Sequence, residues 1–211
     1  NSSAVYEIPI ENLTHDDLKK RFPMFSVPMD MEAVFEERAG YLLVEECVKA
    51  NLDIAVSSGA ILRTGIEVTG WRPDGDGVVV DTDQGKIGAD RLVIAAGSWS
   101  ATLLEDLGLP LQVLRKPSFW YQAKNDYDVG TGCPVFFFDT PHGGFYGCPA
   151  VSDFGVKVAE HSGGDVIKDP LEVDRTLLLS DEAVVRQFLE AHLPGVFSDR
   201  LSRHVVCMTT M

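Results

Sequence analysis

Residues 89–111, ADRLVIAAGSWSATLLEDLGLPL, constrain the chain more than any other stretch. An apolar run reads as a strand, stops at a corner of small residues, Ala95-Ala96-Gly97, and passes into an amphipathic turn of helix beginning near Trp99. Small residues at such a corner let the backbone approach a flat ligand that larger side chains would hold away. A fold that binds a dinucleotide in this way normally carries G-x-G-x-x-G between its first strand and first helix. No stretch of the 211 residues supplies that pattern in that context. The corner alone therefore decides nothing.

Upstream, THDDLKKRF predicts a surface helix with Thr14 as N-cap and two aspartates in its first turn, ended by Pro23. Residues 44–58 place Val44, Cys47, Val48, Asn51, Leu52, Ala55 and Val56 on nearly one face, with Gly59 as a stop, which predicts an amphipathic helix packed on a neighbour. A strand within AILRTGIEVTGWRP follows, then a β-meander turning at Asp74-Gly75-Asp76-Gly77 and again at Gln84-Gly85, then a final strand KIGADRLVIAAG. DGDG lacks the further carboxylates and closing bidentate Glu of a calcium loop, so it reads as a hairpin turn, and no metal is expected. The order helix, strand, meander, strand, glycine corner resembles the second half of a Rossmann-type FAD-binding domain whose first half is not among these residues.

Beyond Pro110 the character changes. LQVLRKPSFWYQA, CPVFFFDT, GGFYGCP and FGVKVAEH predict aromatic strands separated by Gly, Pro and Asp turns. A helix over SDEAVVRQFLEAHLPG, N-capped by Ser180, precedes a last strand RHVVCMTTM that runs to the end of the chain, as a cut chain would. The fold class is α/β (α+β), a mixed-sheet domain plus part of a Rossmann-type domain.

The balance of 18 basic against 32 acidic residues, a net charge of −14, argues against nucleic acid or an anionic membrane surface as partner. No apolar run reaches the roughly 18 to 20 residues that span a bilayer, and the amino end has no signal-like pattern, so a cytoplasmic location is expected. Four cysteines without a C-x-x-C pair read as free thiols.

Taken in order, GADRLVIAAGSWS, LPLQVLRKPSFWY, GGFYGCP, GVKVAEH and VVCMT resemble the FAD-dependent amine oxidases of the monomeric sarcosine oxidase and N-methyltryptophan oxidase type over nearly the whole chain. The resemblance implies an internal fragment. Residues 1–40 and 109–211 would form a discontinuous substrate domain, and 41–108 part of the flavin domain. It implies oxidation of a small, amino-acid-like secondary or N-methyl amine, with O2 as acceptor and hydrogen peroxide as product. The isolated chain would be inactive and without FAD.

Site residues follow from the same resemblance. Cys207 matches the cysteine bonded covalently to the flavin 8α carbon, Lys157 a lysine near flavin N5 that helps O2 accept an electron, His161 a substrate-site histidine and Tyr146 a pocket tyrosine. Phe137 would line that pocket. Ala96 and Gly97 at the corner, Trp99 after it and Val68 on the preceding strand would lie on the cofactor side. Thr209 departs from the family, which often has tyrosine there. Taken singly, each has a structural reading: a buried strand cysteine, a solvent-facing strand lysine, a turn histidine, core aromatics. Spacing supports a common pocket, because Lys157 and His161 are four apart and share a face of an extended strand, with Val156 and Val158 on the other. Two alternatives stay open: a glycine or D-amino-acid oxidase-like or dehydrogenase flavoprotein, and a cofactor-free binding domain.

Overall fold

The computed structural model describes residues 2–211 and divides into two compact units. The first takes the chain up to Tyr41 with Arg115–Asp165 and Asp174–Cys207. The second takes Leu42–Leu114, Val166–Val173 and Met208–Met211. In chain order the α-helices are α1 (Ser2–Val5), α2 (His15–Arg21), α3 (Val44–Ser57), α4 (Ser100–Leu103) and α5 (Leu179–His192). The strands are β1 (Glu11–Leu13), β2 (Ala33–Phe35), β3 (Val68–Asp74), β4 (Gly77–Thr82), β5 (Gly85–Ala89), β6 (Val113–Ala123), β7 (Phe136–Thr140), β8 (Gly143–Cys148), β9 (Val156–Glu160), β10 (Asp165–Ile167) and β11 (Val196–Thr210).

In the first unit α2 starts where its sequence says it should. Thr14 Oγ1 accepts the Asp17 amide at 3.2 Å while the Asp17 carboxylate takes the Thr14 amide at 3.1 Å, a reciprocal box that satisfies two otherwise free donors. The Thr14 hydroxyl also donates to the Asp17 carboxylate, and this bond together with the one from the Thr14 amide holds the Asp17 carboxyl below its ordinary range. A carboxyl depressed by folding contributes stability at neutral pH and loses it as pH falls through its lowered value. Thr14→Ala removes the side-chain cap and should cost about 1 kcal/mol in denaturant melts at neutral pH. The difference should shrink in acid, and equal midpoints at neutral pH would show that the box holds nothing.

The main sheet of this unit runs β7-β8-β9-β6, and β11 also pairs with β6. Its alternation separates two faces. One carries Phe119, Tyr121, Phe138, Phe145, Val156 and Val158, all buried in one core with Val185, Phe188 and Leu189 of α5. Phe145 stacks on Phe188 at 4.4 Å between ring centres. Buried against this core, the Tyr127 hydroxyl is pushed up to about 12 by desolvation.

The start of α5 differs from the sequence reading. The helix begins at Leu179, its N-cap is Leu178, and no side chain caps it, so Ser180 is already inside the first turn. The buried Arg115 guanidinium explains the shift. It pairs with Asp181 of that turn at 2.6 Å and donates to the carbonyls of Asp174 and Thr176, fixing the entry to the helix from outside it.

In the second unit β3, β4 and β5 form the expected antiparallel meander. Asp74 pairs with Gly77 across a two-residue turn in which Gly75 takes a left-handed φ of 57°. The indole of Trp71 donates to the Leu103 carbonyl at 2.9 Å and ties α4 to β3.

Two expectations fail here. Residues 90–96 are not a strand, and neither are Ile61, Leu62 and Arg63; Val93 is 88% and Ile61 83% exposed. Such apolar runs become strands only when a neighbouring strand takes their backbone hydrogen bonds, and among the described residues no strand pairs with either run. The helix α3 forms and is amphipathic as expected, but the expected packing on a neighbour is not seen, since none of its residues is buried. Among the described residues no helix is long and apolar enough to cross a membrane.

Candidate functional site

The sheet face opposite the α5 core carries the chemistry. Across the strands Trp120 of β6 pairs with Lys157 of β9, Lys157 pairs with Cys148 of β8, and Tyr146 of β8 pairs with Phe137 of β7. Direct cross-strand partners project to the same side, so these five side chains share one face. Val156 and Val158 lie on the other, fully buried, as the alternation requires.

The Lys157 ammonium stands 5.3 Å from the Trp120 ring centre and 5.7 Å from that of Tyr146, within cation–π range of both. Among the described residues no carboxylate lies within ion-pair distance of it. His161 follows β9 directly. Its ring meets Phe137 edge-on at 5.4 Å and Tyr146 at 6.4 Å, and its amide donates to the Gly144 carbonyl at 2.7 Å. A Cβ on Gly144 would stand 2.9 Å from the Phe137 ring, so a side chain there would push that ring aside. Phe137 is 56% exposed despite being aromatic.

The structure thus brings Phe137, Tyr146, Lys157 and His161 together. Two neighbours were missed in the sequence reading. Cys148 sits in register with Lys157, and burial pushes its thiol up while the ammonium pulls it partly back. Trp120 carries a second cation, the Arg203 guanidinium, 5.0 Å from its ring centre. Period-2 alternation could place these residues on a strand face, but only the pairing of distant strands puts them beside Lys157.

Cys207 lies on β11 and is exposed. Alternation puts it on the side opposite the buried Val206, together with Arg203. The remaining expected residues belong to the second unit. Ala96 precedes a short 3-10 turn, Gly97–Trp99, in which Gly97 takes a φ of 54°. The Gly97 carbonyl accepts the Thr210 hydroxyl at 2.9 Å. A Cβ at Gly97 would meet nothing within 4 Å, so its backbone borders open space. Trp99 is 44% and Val68 45% exposed.

Chemically, the first unit presents an ammonium with no carboxylate partner among the described residues and a guanidinium, both against half-buried rings, with the exposed Phe137 ring and an imidazole nearby. That arrangement favours a ligand that is partly planar or apolar and carries or develops negative charge.

Comparison with known proteins agrees with the architecture. Residues 2–211 match the DAO family model, described as FAD dependent oxidoreductase. The chain is 32% identical over 210 residues to monomeric sarcosine oxidase of Bacillus sp. (strain B-0618), covering 97% of this chain and 53% of that enzyme. To N-methyl-L-tryptophan oxidase of Escherichia coli O1:K1 / APEC it is 33% identical over 198 residues, 93% of this chain and 52% of that enzyme. Among solved structures, NikD, an unusual amino acid oxidase essential for nikkomycin biosynthesis, superposes with a TM-score of 0.77 at 26% identity, over 100% of this chain and 55% of NikD. The chain spans about half the length of the curated relatives it matches.

Proposed function

Because the chain belongs to the DAO family of FAD-dependent oxidoreductases, we propose that its full-length enzyme oxidises a secondary or N-methyl amine of a small amino-acid-like molecule. In this reading O2 is the acceptor, hydrogen peroxide the second product, and the enzyme works in the cytoplasm. The observation that carries it is the convergence of Phe137, Tyr146, Lys157 and His161, drawn from three strands and a turn, on one sheet face. Residues 1–40 and 109–211 are assigned to the substrate domain and 41–108 to part of the flavin domain.

The residues present fit a flavin. Taken by itself, the first unit offers an exposed thiol at Cys207, and the second, taken by itself, leaves open space at Gly97 where a side chain would stand. Bound FAD would supply the two-electron chemistry, accepting hydride from the amine and passing electrons to O2. The chain's own residues do the rest. Cys207 would supply the sulfur for a covalent tether to that cofactor. Ala96, Gly97, Trp99 and Val68, all of the second unit, are assigned to the cofactor in this reading. Phe137 and Tyr146 enclose the apolar part of the substrate and exclude water. His161 holds the amine in the orientation from which it reacts. The Lys157 ammonium offers a fixed positive charge to negative charge developing on O2.

The test is full-length enzyme with a panel of N-methyl amino acids, their primary-amine counterparts and glycine, followed by anaerobic flavin bleaching and aerobic peroxide release. Bleaching by the N-methyl compounds with matching peroxide is expected. Bleaching by glycine or primary amino acids alone would favour the glycine oxidase-like alternative, and bleaching without reoxidation by O2 a dehydrogenase. Since these 211 residues hold no G-x-G-x-x-G loop to bind a pyrophosphate, the chain purified alone should be colourless and inactive. A yellow preparation with flavin absorbance would refute that expectation.

A further inference from the structure

One cation of the first unit lies outside the site just described and touches its framework. Lys116, on β6 four residues before Trp120, directs its ammonium into the turn that follows β9. It donates to three successive carbonyls, those of His161 at 2.7 Å, Ser162 at 2.9 Å and Gly163 at 3.0 Å. An ammonium has three donors, and all three are used on one turn.

The same turn is held from its other side. The Ser162 hydroxyl accepts the Gly144 amide at 3.0 Å and donates to Glu160 at 3.0 Å, while the His161 amide donates to the Gly144 carbonyl. Gly163 takes a left-handed φ of 65°, and a Cβ there would lie 2.9 Å from the Glu160 carboxylate. The turn is therefore clamped between β6 and the β7–β8 hairpin. The residue whose side chain leaves that clamp toward the rings of Phe137 and Tyr146 is His161.

We propose that Lys116 is a positioning residue for the candidate substrate site: by collecting the three carbonyls of 161–163 it fixes the backbone from which His161 reaches the pocket. The proposal rests on the reading of His161 as a substrate-site residue. Partial burial lowers the Lys116 pKa, an effect that the nearby Glu160 carboxylate opposes without cancelling. Lys116→Met keeps the stem and removes the donors. With them gone, three carbonyls that converge on one point repel one another, and the turn relaxes.

The experiment is a double-mutant cycle in the full-length flavoenzyme, reading anaerobic flavin reduction against substrate concentration and, separately, reoxidation by O2. Lys116→Met is expected to raise the half-saturating substrate concentration or lower the limiting reduction rate by about 10-fold, as a small displacement of a positioning group does. Reoxidation should be unchanged. In a His161→Asn background the same substitution should change reduction by less than about 2-fold, because the side chain it positions is gone. Lys116→Arg, which keeps charge and several donors, should recover part of the loss; it also carries the cycle if the Met variant does not fold. Equal losses in both backgrounds, or no loss in either, would overturn the proposal. If His161→Asn alone left reduction unaltered, the assignment of His161 to the substrate site would be what fell, a result distinct from failure of Lys116 alone.

Discussion

Full-length enzyme carrying Cys207→Ser is expected to give up its flavin on denaturation, while the unmutated protein keeps it. A cofactor held by shape and hydrogen bonds leaves when the fold that makes them is lost, but a thioether survives acid precipitation and denaturant. The choice of residue follows from chemistry. The thioether would form as a thiolate adds at the 8α carbon once that methyl group has lost a proton, which would leave the flavin reduced by two electrons for O2 to reoxidise; a cysteine thiol ionises in water for such an addition where a serine hydroxyl does not. Placement agrees, since Cys207 is exposed on a long regular strand, opposite the buried Val206. The two other cysteines of the first unit are poorer candidates. Burial pushes the Cys133 thiol up to about 12, and Cys148 is also raised. The measurement is flavin absorbance in pellet and supernatant after acid precipitation, for the unmutated enzyme and Cys207→Ser. Yellow pellet from the first and yellow supernatant from the second is expected. Free FAD from the unmutated enzyme would leave Cys207 an exposed strand cysteine and nothing more.

How far the sequence could be read depended on the range of the interactions that fix each element. The Thr14 cap of α2, the Asp74–Gly77 hairpin and the opposition of Lys157 to Val156 and Val158 are all settled within a few residues, and all three appear as expected. The start of α5 does not, because Arg115, 66 residues away from Asp181 along the chain, decides it. Trp120 and Cys148 joined the candidate site only through strand register, which pairs β6 with β9 and β9 with β8. Alternation says which face a residue takes, and a one-residue slip between strands would reverse it, so no local pattern names a neighbour. The apolar run 90–96 shows the opposite case. Its composition predicts a strand, and composition cannot supply the partners that would make it one.

Lys157→Met in the full-length enzyme is expected to slow reoxidation by O2 about 100- to 1,000-fold, roughly 3 to 4 kcal/mol, the usual cost of losing one preorganised electrostatic partner. The geometry gives the reason. The ammonium pairs with no carboxylate among the described residues and rests against the rings of Trp120 and Tyr146, so its charge remains available to an incoming anion. Oxygen becomes such an anion as it takes up an electron, whereas loss of hydride from the amine creates none. Methionine keeps the length of the stem and its packing on the rings, so anaerobic flavin reduction should change far less than reoxidation. Stopped-flow measurement of the two half-reactions, for the unmutated enzyme, Lys157→Met and Lys157→Arg, separates the explanations. A charge role predicts that arginine recovers much of the reoxidation rate that methionine loses. If methionine reoxidises at the unmutated rate, Lys157 is a strand lysine held by two aromatic rings, and the oxidase reading loses its main mechanistic support. If both half-reactions fall together in methionine and arginine alike, Lys157 shapes the pocket through its fit against Trp120 and Tyr146 rather than through its charge.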